Sequence, residues 1–452
     1  MSEFPYAEQI KKMGEKITKY NKYGLSSNPF PSKAIVTDWL MNIEEVLAKF
    51  SWEIRKKEIL ELHDKLIEEA YYSQKSTNAW LQGDIGVGKS SILIYMWREL
   101  QTHRSDVVTL YSELGSGFSH VFERVVSQLG YPFFSDLILR LAASVVQKNA
   151  DIFLEKDDPI LKELELDKTA IKKYLGFTSE TVEAPEKEEK RIDLDQLSNV
   201  LQTELNQLGV TTKLRECLVK MLKDPYAGYN ELFSKISSLN RRKALAELFR
   251  VFKYAGYRMS YLFIDQLDFM WRNVYKTAQQ NKIVQELRQF ANETLGYLSI
   301  ATTTYPDLTP VFASQYPHLT AALPVSKRRI IHVDPLDAQQ AKTMTTKYLE
   351  SVKTSNSIPG LYPFSEQAID FICEQKGGIP RDILVDLHDI LDYAIEQCVK
   401  IIDVDFVKKY YELVEEEEKG APKPPPEKIT KKKATAKVPQ AKVKFEDITK
   451  TK

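Results

Sequence analysis

The chain has 452 residues, 43% hydrophobic and 28% charged, an ordinary balance for a globular protein of about two to four domains. Its 63 basic and 63 acidic residues cancel, yet from Lys419 to the end eleven lysines face only three acidic residues. The preceding part is therefore net acidic. This balance excludes a broadly cationic nucleic-acid-binding body and leaves only the end of the chain as a candidate for that role.

The three cysteines, Cys217, Cys373 and Cys398, are far apart and match no metal-ligand spacing. We expect small, buried, reduced thiols at all three positions. No apolar run approaches the length of a membrane span, and the first residues lack the hydrophobic region of a secretory signal. These features predict an intracellular, cytoplasmic protein without a membrane partner.

The first 50 residues predict an amphipathic arm. Apolar side chains recur at three- and four-residue steps over residues 6–20, and Gly24 is expected to end that helix. We expect the arm to pack on the body of the protein, with a separate binding module as the alternative. Residues 53–70 predict a further long helix, because their apolar positions follow the same spacing.

Residues 83–90 are the most informative stretch of the sequence. They have the sequence GDIGVGKS and lie between an apolar run and a helical run, which is the setting of a phosphate-binding loop. The glycines let successive backbone N–H groups turn toward a phosphate, and the following helix adds its positive end. The candidate nucleotide-binding residues are Gly83, Asp84, Ile85, Gly86, Val87, Gly88, Lys89, Ser90 and Ser91.

Two side chains of this loop carry the expected chemistry. Lys89 is expected to reach the β- and γ-phosphates of a nucleoside triphosphate, and Ser90 offers a hydroxyl to Mg²⁺. The alternative is a glycine-rich turn that closes a strand by chance. A match at every specified position, in the right structural setting, favours a site for ATP and Mg²⁺.

A strand at residues 107–111, a loop at 112–117 and a helix at 118–129 continue an alternation that predicts a parallel α/β sheet. Residues 131–245 interrupt it with helical periodicity. Within them, residues 180–191 are charged and poor in apolar side chains, so we expect an exposed link there. We interpret 131–245 as a helical insertion that elaborates the structure, in preference to a substrate-binding subdomain.

A second part of the site is predicted at residues 261–265, four apolar residues that end in Asp265. Downstream of a phosphate-binding loop, such a strand brings its carboxylate to the edge of the sheet. Asp265 would there hold Mg²⁺ together with Ser90. An apolar strand that ends in an acid is common, and the pairing with the loop is what makes it specific.

Gln266 follows this strand, at a position where a carboxylate would polarise the attacking water. An amide orients water but does not accept its proton. The sequence leaves several alternatives open: slow hydrolysis, replacement of the carboxylate by Asp268 or Glu113, or a deliberate hydrolysis-blocking change at this position.

The next predicted strand ends in three threonines, of which Thr303 is expected to lie between the loop and Asp265 and to orient water. The alternative is β-branched filling of a strand. Further along, Arg328 and Arg329 precede another short strand. They are candidates for an arginine finger that reaches the γ-phosphate of a neighbouring subunit, or alternatively for local ion pairs at the sheet edge.

Residues 338–414 predict a small helical lid after the α/β core. Arg381 stands at a helix start, where a cation opposes the helix dipole, so contact with ATP phosphates is the expected reason for it. We interpret His388 as a packed or surface residue. Residues 415–452 are acidic and then rich in lysine and proline, and they predict a disordered tail.

In this order, the loop (Walker A), the strand ending in Asp265 (Walker B), the threonine-rich strand and the Gly-Gly-Ile-Pro-Arg motif at 377–381 resemble AAA+ ATPases. The chain is most similar to the origin-recognition-like group, which is related to archaeal replication initiators. The resemblance implies that Arg381 contacts ATP. Arg55 and Glu58 are similar to an Arg-x-x-Glu feature that this group carries ahead of the loop.

The resemblance covers roughly residues 50–414, apart from the insertion. It implies an α/β P-loop NTPase fold, with a parallel-sheet AAA+ core at 51–337 and the lid at 338–414. Two departures stand out. Gln266 occupies the usual place of a glutamate, and no winged-helix domain follows the lid, so specific origin binding by such a domain is not expected.

The sequence therefore predicts an ATPase, converting ATP to ADP and phosphate, that acts as a conformational and oligomerisation switch to remodel or recruit a partner complex. Homo- or hetero-oligomers with other ATPase or partner subunits are expected. The alternative is a scaffold that binds ATP without hydrolysing it. A third hypothesis is association with nucleic acid through residues 419–452, which serve equally well as a solubilising tail.

Overall fold

The computed structural model describes residues 19–32, 41–115, 117–154, 158–175, 192–267, 277–354 and 358–420. Several sequence predictions lie outside these residues: most of the helix at the start of the arm, the whole charged link at 180–191, Asp268, and nearly all of the lysine-rich tail. Among the described residues, those up to Val407 form one compact unit, and those from Lys408 to Gly420 form a second.

A five-stranded parallel sheet lies at the centre of the described core, in the order β2-β3-β4-β1-β5. Its strands are β1, Asn78–Gln82; β2, Val107–Glu113; β3, Met259–Asp265; β4, Leu298–Thr304; and β5, Ile330–His332. The first four are buried almost throughout, as parallel strands covered by helices on both faces are, although β4 ends in three threonines. The predicted α/β P-loop NTPase fold is confirmed, with the threonine strand β4 between β1 and β3.

Strand β2 is longer than the sequence analysis predicts. Residues Ser112 and Glu113, expected to open a loop, pair in register with Ile264 and Asp265 of β3. Ser112 is fully buried, and the backbone N–H of Leu114 donates to the carbonyl of Asp265 at 3.2 Å. The hydrogen bonds to β3 therefore outweigh the weak strand tendency of Ser and Glu. This extension brings Glu113 level with Asp265.

Helices cover both faces of the sheet. Those near the nucleotide loop and after β3 are α1, Met41–Leu62; α2, Glu69–Ser73; α3, Lys89–His103; a π-helical turn, His63–Glu68, between α1 and α2; α12, Thr277–Glu293; α13, Leu308–Gln315; and α14, Pro317–Ala322. The predicted helix at 53–70 thus begins earlier and changes pitch at His63. One apolar cluster joins α1 and α3 to one sheet face, through residues such as Ile59, Ile92 and Phe263.

The helices between β2 and β3 fill the region predicted as an insertion. They are α4, Phe118–Lys148; α5, Ala150–Phe153; α6, Pro159–Leu166; α7, Ile171–Tyr174; α8, Leu194–Gln207; α9, Thr212–Lys223; α10, Pro225–Lys235; and α11, Arg241–Tyr254, with short 3-10 turns at Lys168–Ala170 and Ser238–Asn240. Their apolar side chains form one continuous cluster with the second face of the sheet. This part therefore shares the sheet's core.

Helix α4 contradicts the expectation that no segment approaches a membrane span. It is 31 residues long, and by length and composition alone it could cross a membrane. The same helix has a non-helical Gly130, with Pro132 just after it. Side chains such as Val121, Phe122 and Leu141 are fully buried against neighbouring helices and strands. The apolar composition of α4 is thus accounted for by packing.

Three helices follow the sheet in the region predicted as the lid: α15, Ala338–Ser351; α16, Glu366–Gln375; and α17, Pro380–Glu396. The described part of the arm, residues 19–32, contacts α17. Tyr20 donates a hydrogen bond to Asp392 at 2.6 Å, and Lys19 pairs with the same carboxylate at 3.1 Å. His388 donates from Nδ1 to the carbonyl of Phe30 at 2.7 Å, so it packs against the arm.

Two smaller expectations are also modified. Cys217 and Cys373 are buried as predicted, whereas Cys398 is exposed. Cys398 lies in the turn after α17 and has a positive φ of 56°. Helix α18, Val404–Gly420, extends through residues 415–420, the predicted start of the tail.

Candidate nucleotide-binding site

The predicted phosphate-binding loop connects β1 to α3, which begins at Lys89. Val87 is buried beneath the loop, whereas Asp84 and Ile85 are exposed and Ser90 is half-buried. Ser91 lies one residue further into α3, where its carbonyl accepts a hydrogen bond from Ser51 at 3.4 Å. The loop thus opens outward at its tip and is anchored at its base.

Lys89 is the buried cation of this loop. Its side chain is only 8% exposed, and its Nζ donates to the carbonyls of Gly83 at 2.6 Å and Asp84 at 2.7 Å. The ammonium also lies 4.5 Å from the ring centroid of Tyr305. Lys89 therefore holds the loop curled around its own charge, and a phosphate oxygen would offer it a stronger, charged acceptor.

Asp265 ends β3 and is buried, at 2% exposure. Its Oδ1 accepts hydrogen bonds from the Gln266 N–H at 2.8 Å and the Thr303 hydroxyl at 2.9 Å, and its Oδ2 accepts one from Tyr111 at 2.8 Å. A donor on β2, a donor on β4 and the backbone N–H that follows β3 thus fix the orientation of this carboxylate. Strand β4 separates β1 from β3, so their ends lie two strand spacings apart, about 10 Å.

The donor set fits Mg²⁺. A carboxylate from Asp265 and a hydroxyl from Ser90 are hard oxygen ligands, which Mg²⁺ prefers, and the ion usually keeps waters and substrate phosphates as its remaining ligands. Ser90 and Asp265 are therefore the residues that would hold the metal.

Gln266 adopts the left-handed conformation, with φ of 57°, so the chain turns sharply at the end of β3. Its side-chain Nε2 donates to Glu113 Oε1 at 3.0 Å. Of the two carboxylates considered as substitutes at this place, Asp268 lies outside the described residues. Glu113 is in direct contact with the amide, because β2 extends to it.

Thr303 is buried at the end of β4, at 1% exposure. Its hydroxyl donates to Asp265 and accepts the backbone N–H of Gln266 at 3.0 Å. The described contacts of Thr303 therefore hold the carboxylate and the turn after it. A direct role in orienting water remains a prediction.

Arg381 lies against the loop, at the start of α17. Its backbone N–H donates to the carbonyl of Gly86 at 3.3 Å. A Cβ built on Gly86 would lie 2.9 Å from Ile379 Cγ2 and 3.0 Å from Arg381 Cβ, so the lid touches the loop where only glycine fits. The guanidinium has no ion-pair partner among the described residues. The structure thus brings Arg381 and the loop together.

The two candidate finger arginines differ. Arg329 makes a two-pronged ion pair with Glu69, at 2.8 and 2.7 Å, and donates to the carbonyl of Lys65. These contacts match the local alternative for Arg329, a pairing at the sheet edge. Arg328 is exposed and has no ion pair with any described residue, so it is the one of the two that is available to another subunit.

Arg55 supports the loop from behind. It is 3% exposed, pairs with Glu58 at 3.2 Å, and donates from Nη2 to the carbonyl of Val87 at 2.6 Å. Burial lowers the pKa of the Arg55 guanidinium, and the Glu58 carboxylate opposes that shift. Arginine stays charged in proteins, so the loop rests on a buried cation. Arg55 also has non-helical backbone angles within α1.

Two contributions were missed by the sequence analysis. Tyr111, predicted only as part of a strand, binds Asp265 through its hydroxyl. Gln340, at the start of α15, donates to the carbonyl of Ile54 at 3.1 Å and so joins the lid to α1. No local pattern marks either residue, because each contact depends on the pairing of distant segments.

No protein-family model matches the chain, and no curated protein matches it in sequence. Among solved structures, it is similar to the ORC1 protein of Aeropyrum pernix in complex with DNA, with 13% identity, a TM-score of 0.40, and coverage of 82% of this chain and 69% of that one. It is also similar to Drosophila ORC bound to DNA, with 13% identity, a TM-score of 0.35, and coverage of 90% and 74%.

A third similar structure is a Walker-type ATPase of Pyrococcus abyssi, with 15% identity, a TM-score of 0.38, and coverage of 81% and 76%. Scores this low establish no activity or partner. Two of these three structures are origin recognition proteins, the group that the sequence motifs resemble. The α/β P-loop NTPase fold rests on this chain's own strand order and on the loop between β1 and α3.

Proposed function

We propose that this protein binds ATP with Mg²⁺ between the AAA+ core and the lid, and that it hydrolyses ATP to ADP and phosphate. One observation carries the proposal: the start of α17 lies directly on the phosphate-binding loop at Gly86. A triphosphate in this loop would meet Lys89 from the core and Arg381 from the lid. Occupancy of the site is thereby coupled to the angle between lid and core.

The proposed roles follow from the geometry. Lys89 would exchange its two carbonyl acceptors for phosphate oxygens, and Arg381 would bind the same phosphates from the opposite side. Bound Mg²⁺ would neutralise charge that develops on the phosphates. Asp265, which Tyr111 and Thr303 orient, would hold that metal ion.

The change in lid angle on ATP binding would control how this protein assembles with its partners. An exposed Arg328 that completes the site of a neighbouring copy or related subunit would link ATP binding to assembly. Contact of residues 419–452 with nucleic acid is a second proposed interaction, and their excess of lysines supports it. The exposure of Arg328 supports the first of these proposals and the lysines of the tail support the second. We also propose a cytoplasmic location.

Two measurements on the unchanged protein and on Lys89→Ala test the central proposal: the affinity for ATP and the rate of phosphate release. We expect the unchanged protein to do both, and Lys89→Ala to lose phosphate release by about 100-fold or more, as loss of a main phosphate ligand would predict. No binding of ATP by the unchanged protein would contradict the proposal. Tight binding without phosphate release would favour the non-hydrolysing scaffold, which the amide at Gln266 suggests.

A further inference from the structure

Lys89 also contacts an aromatic residue that lies outside the phosphate-binding loop. Its Nζ is 4.5 Å from the ring centroid of Tyr305, a distance at which a cation is attracted to an aromatic face. Its hydrogen bonds to the carbonyls of Gly83 and Asp84 stay within the loop, whereas Tyr305 lies in the turn between β4 and α13. The cation that would bind the phosphates is thus in contact with a side chain from another segment.

The order of the strands places Tyr305 between the loop and Asp265. Strand β4 lies between β1, which leads into the loop, and β3, which ends in Asp265. At the end of β4, Thr303 donates to Asp265 at 2.9 Å, and the carbonyl of Thr304 accepts a hydrogen bond from the Gly83 N–H at 3.2 Å. Tyr305 is the next residue. It therefore approaches the loop from the side of the site that would hold Mg²⁺.

The backbone of Tyr305 is held in place, whereas its side chain borders solvent. The Tyr305 carbonyl accepts a hydrogen bond from the Leu308 N–H at 3.1 Å, which closes the turn. In α13, the Thr309 hydroxyl accepts a hydrogen bond from Gln82 of β1. The side chain of Tyr305 is half-exposed. Rotation of this side chain is therefore the smallest movement that would separate the ring from Lys89.

A phosphate and the ring would compete for the same ammonium group. The face of an aromatic ring carries partial negative charge, so the ring is attracted to Lys89 and would repel a phosphate. The phosphate is the stronger partner, because its hydrogen bond with an ammonium is charge-assisted. Binding would still include the cost of separating the ring from Lys89. The apparent affinity is then reduced by the fraction of molecules in which the ammonium is uncovered.

We propose that the ring of Tyr305 competes with the phosphates of ATP for Lys89, so that ATP binds when this ring turns away. The proposal rests on the ATP binding proposed above and adds a regulatory residue to the same site. Tyr305 thereby sets the ATP concentration at which the loop is occupied. The two positions of the ring correspond to the two states of the site.

Three variants test the competition by calorimetric titration with ATP and Mg²⁺. Tyr305→Leu keeps apolar bulk but removes the aromatic face, so we expect ATP to bind about tenfold more tightly, as loss of a cation–π contact to a buried ammonium predicts. Tyr305→Phe keeps the aromatic face and should bind ATP less tightly than Tyr305→Leu. Tyr316→Leu is the matched control, because Tyr316 is also half-buried, follows α13 and donates to Asn281. Its affinity should stay within about twofold of the unchanged protein.

Each result decides the question. An affinity of Tyr305→Leu within about twofold of the unchanged protein would overturn the competition, and a weaker one would make the ring a ligand of the nucleotide. Equal tightening in Tyr305→Phe or in Tyr316→Leu would show that the aromatic face at Lys89 is not the cause. If neither the unchanged protein nor Tyr305→Leu binds ATP, the proposed function itself fails. Failure of the competition alone leaves ATP binding intact.

A crystal structure with Mg²⁺ and an ATP analogue that is not hydrolysed tests the ring position without any substitution. With a triphosphate bound in the loop, we expect the Tyr305 ring centroid to lie beyond about 6 Å from Lys89 Nζ, outside the range of a cation–π contact. A ring that stays over the ammonium beside the bound phosphates would overturn the proposal.

Discussion

The nucleotide site is built from two regions that differ in how the chain specifies them. The loop region, residues 83–90, is contiguous, and its supports, Arg55 and Arg381, come from an earlier helix and from the lid. The strand-end region consists of Tyr111, Glu113, Asp265, Gln266 and Thr303, which meet only because β2, β3 and β4 are neighbours. A contiguous motif thus identifies a site, whereas strand pairing decides which chemistry that site is equipped for.

The largest effect is expected at the buried support of the loop. Arg55→Met removes the cation and leaves Glu58 buried without its partner, so we expect a loss of about 3–5 kcal/mol in the free energy of unfolding. Urea unfolding measures it. The double variant Arg55→Met/Glu58→Leu removes both charges and should recover much of the loss. A change below about 1 kcal/mol in Arg55→Met, the range of a surface pair, would contradict the importance of this support.

An intermediate effect is expected in the strand-end region. Thr303→Val keeps the shape of the side chain but removes the hydroxyl that binds Asp265 and the Gln266 N–H. We therefore expect the free energy of unfolding to fall by about 1–3 kcal/mol. Thr302→Val is the matched control, because the buried Thr302 hydroxyl has no hydrogen-bond partner among the described residues. Its replacement should be neutral or stabilising. Equal losses in the two variants would show that the Thr303 contacts contribute nothing specific.

The smallest effect on stability, and the most specific one on binding, is expected at the contact between loop and lid. Gly86→Ala and Gly360→Ala both place a side chain at a positive φ, of 80° and 79°, and each should cost about 1–2 kcal/mol. Among the described residues, a Cβ at Gly360 meets nothing within 4 Å, whereas one at Gly86 meets the lid. Only Gly86→Ala should therefore weaken ATP binding, by about tenfold or 1.4 kcal/mol. Equal affinities for ATP in the two variants would show that the contact between lid and loop does not contribute to nucleotide binding.

Much of the fold was predictable, because its signals are local. The apolar runs that became β1, β3 and β4 are short and bounded, and the loop with Lys89 has a fixed spacing. The position of β4 between β1 and β3 followed from the resemblance and is confirmed. The sequence also singled out Arg381, because glycines and a proline mark the start of α17, and the structure brings this residue into contact with the loop.

The rest depends on contacts that no local pattern contains. Ser112 and Glu113 have weak strand tendency, and only pairing with β3 draws them into the sheet. The insertion helices were expected to elaborate the structure, yet they share one core with the sheet. The apolar face of a helix shows that the helix packs against another element, but it does not show which element that is. The chain position of Arg329 left an arginine finger and an ion pair at the sheet edge both open, and the contact with Glu69, 260 residues away, matches the ion pair.

The most direct test of the central claim is a crystal structure with Mg²⁺ and an ATP analogue that is not hydrolysed. The account predicts the triphosphate in the loop, with Lys89 Nζ and the Arg381 guanidinium both within hydrogen-bond distance of its oxygens, and Mg²⁺ between Ser90 and Asp265. A triphosphate bound in the loop with Arg381 turned away from it, or bound elsewhere in the protein, would contradict the account.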